Sequence, residues 1–65
     1  MPNQHILRKR LRAAVELGVI LDFTLRPGSR ATIYLRNGNK VYTTTALDAL
    51  VVLRQEGLSL QEEKS

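Results

Sequence analysis

Cysteine is missing from the chain, which excludes disulfides and thiolate metal sites together. Histidine occurs once, at His5, far short of the ligand set that a protein-only zinc site requires. No apolar run approaches the roughly 20 residues of a membrane helix. The opening Met1-Pro2-Asn3-Gln4-His5 has neither the basic flank nor the apolar stretch of a signal peptide. These absences predict a soluble, cytoplasmic protein with no cofactor, no metal and no membrane partner. Catalytic equipment is equally scarce. Asp22 stands without a second carboxylate at useful spacing, Asp48 has a structural use described below, and no phosphate loop or activated serine is recognisable. The chain is therefore expected not to be an enzyme.

Basic side chains are what the sequence does have, and they are unevenly spread. Residues 1–44 carry Arg8, Lys9, Arg10, Arg12, Arg26, Arg30, Arg36 and Lys40 against Glu16 and Asp22, a balance of +6. The remainder carries Arg54 and Lys64 against Asp48, Glu56, Glu62 and Glu63, a balance of −2. Clustered Lys and Arg favour a polyanion partner, because each phosphate contact releases condensed counterions. At 65 residues there is room for one domain with a modest core. Small cores of this kind are commonly supplemented by self-association, so a homodimer is expected.

Hydrophobic spacing divides the chain into five elements. Asn3 suits an N-cap for a helix over 4–17, ended by Gly18. Leu7, Leu11, Ala14 and Val15 form its apolar stripe, and Ile6, Ala13 and Leu17 a neighbouring one. His5, Arg8, Lys9, Arg12 and Glu16 make the opposite, polar face. Arg10 falls inside the apolar arc, with its stem free to snorkel. Residues 19–26 alternate with period two, Val19, Leu21, Phe23 and Leu25 on one side against Ile20, Asp22, Thr24 and Arg26. Pro27-Gly28 suits a type II turn. A second strand over 31–36 leads to Asn37-Gly38, a strong hairpin signal, and a third strand over 40–44.

Keeping one face apolar selects three-residue loops, since a one-residue slip would send every side chain to the wrong face. The first loop pairs Phe23 with Ile33 and Leu25 with Ala31. The second pairs Leu35 with Val41, Tyr34 with Tyr42 and Arg36 with Lys40. Thr45-Ala46-Leu47-Asp48 has capping-box spacing. It opens a helix over 46–56 that directs Leu47, Leu50, Val51 and Leu53 inward and leaves Val52 exposed, with Gly57 at C′. The expected fold is two-layer α+β: helix, three-stranded antiparallel meander, helix, with both helices on one face. Residues 1–57 form the single small basic domain, and 58–65 an acidic C-terminal tail.

This arrangement leaves one sheet face open. Tyr34 and Tyr42 lie there with Arg36, Lys40, Arg30 and Arg26, as a surface on which bases stack while cations hold phosphates. Arg8, Lys9 and Arg12 on the first helix give a second basic surface. The expectation is a small DNA- or RNA-binding protein, of a size that suits a regulator. Paired tyrosines also stabilise sheets without any ligand. A second expectation is thus a protein-binding adaptor or inhibitor, using Val52, Ile20, the open sheet face or a dimer surface against an acidic partner.

Residues 31–53, ATIYLRNGNKVYTTTALDALVVL, resemble the core of the bacterial Sm-like RNA chaperones. Ile33, Tyr34, Leu35, Asn37, Gly38, Lys40, Asp48, Val51, Val52 and Leu53 follow that family's order, and Arg8, Lys9 and Arg10 are similar to its arginine-rich rim. The resemblance implies a strand over 46–53, a small β-barrel with an N-terminal helix, and a ring-forming RNA binder. At the level of topology the meander with a helix is also similar to the sheet-type DNA-binding module of tyrosine integrases, which implies DNA reading by the sheet.

Overall fold

The computed structural model describes residues 4–64, with side chains described for 4–63. The order is α1 (Gln4–Glu16), β1 (Ile20–Arg26), β2 (Arg30–Leu35), β3 (Lys40–Thr43) and α2 (Ala46–Lys64). The strands form one antiparallel sheet in the order β1-β2-β3, and both helices pack on the same face. This is the two-layer α+β arrangement expected from the spacing. The sheet is open and residues 46–64 are helical, so the closed barrel with a strand at 46–53 is not formed.

The end of α1 has a clear local cause. Gly18 takes φ +78°, a left-handed conformation that glycine adopts without steric cost. The Gly18 amide donates to the Val15 carbonyl at 3.1 Å and the Val19 amide to the Ala14 carbonyl at 2.8 Å. That pair of bonds is a Schellman motif, which satisfies carbonyls the helix would otherwise leave unpaired. The expected N-cap, Asn3, lies outside the described residues.

Val19 thereby turns toward the core, where it is half-buried, and β1 must adjust. Ile20 pairs with Leu35 and Asp22 with Tyr34, so Leu21 is the extra residue of a β-bulge. The bulge reverses the alternation expected at the strand's start: Ile20 is buried at 2% exposure and Leu21 is turned outward at 58%. Beyond it the expected register holds, with Phe23 opposite Ile33 and Leu25 opposite Ala31. Ile20, expected as an exposed docking residue, is one of the three most completely buried large side chains, with Leu11 and Ile33.

The second hairpin is two residues out of the expected register. Ile33 faces Val41, Thr32 faces Tyr42 and Tyr34 faces Lys40. The Leu35 amide donates to the Asn39 carbonyl at 2.8 Å, so the three-residue loop is Arg36-Asn37-Gly38, one residue earlier than the expected Asn37-Gly38-Asn39. Gly38 supplies φ +91°, and the Asn37 side chain accepts the Asn39 amide at 2.9 Å. A shift of two keeps side-chain parity. The apolar face therefore survives, and hydrophobic pattern alone could not choose between the two registers. Turn chemistry chose.

Thr45 caps helix α2 as expected, the Asp48 amide donating to Thr45 Oγ1 at 3.1 Å. Among the described residues the Asp48 carboxylate does not reach back to the Thr45 amide, so half of the capping box is made. Its inward line differs. Ala46, Ala49, Leu50, Leu53, Gly57 and Leu60 turn toward the body, while Leu47 stands 70% exposed and Val51 also faces out. The stretch Ala46–Leu53 is apolar nearly all round, so its periodicity selects no face. Ala49, fully buried, lets the helix approach the sheet closely. Val52 is half-buried against the core and does not present the exposed surface expected of it. Gly57 has no positive φ and does not end the helix, which continues through the acidic segment to Lys64.

Candidate nucleic-acid interface

With both helices on one side, the opposite sheet face is uncovered. The register lays out its rows: Asp22, Tyr34, Lys40; then Thr24, Thr32, Tyr42; then Arg26 opposite Arg30. Tyr42 is 64% exposed and Tyr34 37%, whereas Thr32 at the centre is only 4% exposed, shielded by the larger side chains around it. The tyrosines are diagonal neighbours, since Tyr42 faces Thr32 and Tyr34 faces Lys40. The directly opposed tyrosine pair expected from the sequence is not made.

Lys40 provides a cation beside the aromatic surface. Its ammonium lies 5.6 Å from the centroid of the Tyr42 ring, within cation–π range. The hydrogen bond to the Tyr42 side chain, with the electrostatic influence of Tyr42 and then Tyr34, holds Lys40 above the ordinary lysine pKa. A raised folded-state pKa means that the interaction is fully present below the usual lysine value and fades only as pH rises past the raised one. The charge is constant throughout the neutral range.

Arg26 and Arg30 sit directly across the β1–β2 hairpin from each other, both exposed. Like charges at opposed positions are destabilising, and an anion between them relieves the repulsion. Gln4 Nε2 donates to the Arg26 carbonyl at 3.0 Å and ties the start of α1 to this end of the sheet. The one carboxylate on the strands is Asp22. Its Oδ1 accepts the Phe23 amide at 2.8 Å beside the bulge.

Arg36 does not join this surface. It lies in the β2–β3 turn, where its Nη2 pairs with Glu63 Oε2 at 2.6 Å, and its Nε is buried without a hydrogen-bond partner among the described residues. The extension of α2 past Gly57 creates this contact by bringing Glu63 to the turn, and a helix ending at 56 would not have supplied it. Arg8, Lys9 and Arg12 are exposed on α1, in the other layer of the molecule from the sheet face. The structure thus brings together Tyr34, Tyr42, Lys40, Arg26 and Arg30, and leaves Arg36, Arg8, Lys9 and Arg12 elsewhere.

Two features of the helical layer went unread in the sequence. Arg10 and Arg54 line a groove between α1 and α2 together with Lys9. Arg10 signalled this by falling in the apolar arc of α1, but Arg54 carries no such mark. Among the described residues no group of three or more His, Cys, Asp or Glu is placed to hold a metal ion, and no helix is long and apolar enough to cross a membrane. Comparison with family models, with curated proteins and with solved structures finds no match to this chain.

Proposed function

We propose that the chain is a non-enzymatic nucleic-acid-binding domain that holds single-stranded DNA or RNA across its open sheet face. The observation that carries this reading is the composition of that face: two exposed tyrosines, a lysine over one ring, and an opposed arginine pair at one end. Bases stack on Tyr42 and Tyr34, and phosphates are held by Lys40, Arg30 and Arg26. An open sheet face with Thr24 and Thr32 beside the aromatics suits unpaired bases better than a duplex, whose major groove admits a helix or a two-stranded ribbon.

Fluorescence anisotropy with short labelled single strands tests the reading. Tyr42→Ala is expected to weaken binding by about 1–3 kcal/mol while leaving the slope of affinity against salt unchanged, because no cation is lost. Lys40→Ala is expected to flatten that slope by roughly 0.7 for a single strand. A folded Tyr42→Ala protein that binds as tightly as the parent would remove the sheet face from consideration.

A further inference from the structure

The groove in the helical layer is separate from the sheet face and is shaped for a different occupant. Its floor is apolar, built from Ala13, Ala14 and Val19 on one side and Leu50 and Leu53 on the other, in a volume of about 930 Å³. A second depression of about 460 Å³ continues it past Leu17, Val19 and Arg54 toward Leu58 and Gln61. Along α2 the combined trough runs from Leu50 to Gln61, about 16 Å at 1.5 Å per residue, or three helical turns. Alanines at 13 and 14 and Gly57 keep its walls low.

Its charge is of one sign. Lys9, Arg10 and Arg54 line it, no carboxylate does, and none of the three makes an ion pair among the described residues. From this complementarity we infer that the α1–α2 groove receives an amphipathic helix of a partner protein, about three turns long, with an apolar stripe flanked by acidic side chains. Recognition takes the helix-in-groove form: apolar anchors at i, i+3 or i+4 and i+7 seat on Ala13, Leu50 and Leu53, and flanking carboxylates meet Arg10, Lys9 and Arg54.

A second copy of this chain is a poor occupant. The exposed face of α1 is basic, with Arg8 and Arg12, and would bring cations onto cations. The exposed apolar line of α2, Leu47, Val51 and Leu58, is interrupted at helical spacing by Arg54 itself. The acidic end of α2 offers Leu58 as its one exposed apolar anchor near Glu62.

The probe is a labelled synthetic peptide of about four turns, with leucines at helical spacing and glutamates on both flanks. It is compared with a version carrying lysine for every glutamate. Amide chemical shifts are expected to move at Lys9, Ala13, Leu17, Leu50, Leu53 and Arg54 and to saturate with the acidic peptide. The lysine version should bind at least about tenfold more weakly. Leu17→Asp and the pair Arg10→Glu with Arg54→Glu alter exposed side chains, so the fold is kept, as circular dichroism checks. Each is expected to lower peptide affinity about tenfold. Tyr42→Ala should leave peptide binding unchanged, which separates this groove from the proposed nucleic-acid face. Shifts confined to the sheet face, equal binding of both peptides, or a dimer in sedimentation that Leu17→Asp dissolves would each overturn the inference.

Discussion

Asp22 is the residue on which the electrostatics of the open face turn. It shares a row with Tyr34 and Lys40, and it is the single carboxylate among the strands. A phosphate near Lys40 therefore meets one favourable and one unfavourable charge, whereas near Arg26 and Arg30 it meets two favourable ones. Bound nucleic acid should accordingly lie with its backbone toward the arginine end and its bases over Tyr42. Asp22→Asn keeps the side-chain oxygen that accepts the Phe23 amide and removes the charge. Exposed charge interactions are worth up to about 1 kcal/mol, so the substitution is expected to tighten single-strand binding roughly two- to fivefold at low salt. The gain should shrink as salt is added. Unchanged affinity in anisotropy titrations at low salt would mean that the Asp22 charge does not act on the bound strand.

At the scale of elements, what could be read in advance follows from how each element is specified. Helix α1 was legible because its amphipathic stripe and Gly18 agree, and the Schellman bonds at Gly18 and Val19 realise that agreement. The first hairpin was legible because Pro27-Gly28 and the alternation beyond Asp22 point to one register. Val19-Ile20-Leu21 was not legible, since three apolar residues in a row fit either parity and the bulge was decided by where the end of α1 delivers the chain. The tyrosine geometry was lost for a related reason: a two-residue register shift preserves faces and changes partners. Arg36 was lost with it, once the turn took it from the strand and α2 brought Glu63 within reach. Helix α2 misled through Gly57, whose C′ reading required a left-handed backbone that it does not have. Gly57 sits in the helix interior, and a Cβ there meets nothing within 4 Å. Gly57→Ala should therefore raise stability by about 0.5–1 kcal/mol, measured from urea midpoints. If the helix ended at residue 56 with a left-handed Gly57, the same change would cost stability, so the sign alone decides. Gly38, at φ +91°, serves as the contrast: Gly38→Ala is expected to destabilise.

Over the whole molecule, the cations divide between two layers that one nucleic-acid strand does not reach together. Arg26, Arg30 and Lys40 belong to the sheet face, and Arg8, Lys9 and Arg12 to the exposed surface of α1, with Lys9 at the rim of the α1–α2 groove and the apolar core between the two layers. The formal charge of +4 therefore overstates what a single bound strand encounters at any one surface. Counterion release makes this division measurable. For single strands the logarithm of affinity falls with the logarithm of salt at about 0.7 per phosphate neutralised, so three sheet-face cations give a slope near −2. Six cations acting together would give a slope near −4. The expected slope is the shallower one, and replacing Arg8 and Arg12 by alanine together should leave it unchanged. Replacing Arg26 and Arg30 by alanine should flatten it by roughly 1.4, while relieving their mutual repulsion and keeping the hairpin folded. A slope near −4 that drops when the α1 arginines are removed would mean that the helical face shares the ligand. A slope that responds to the α1 arginines alone would move the whole interface to the other side of the molecule.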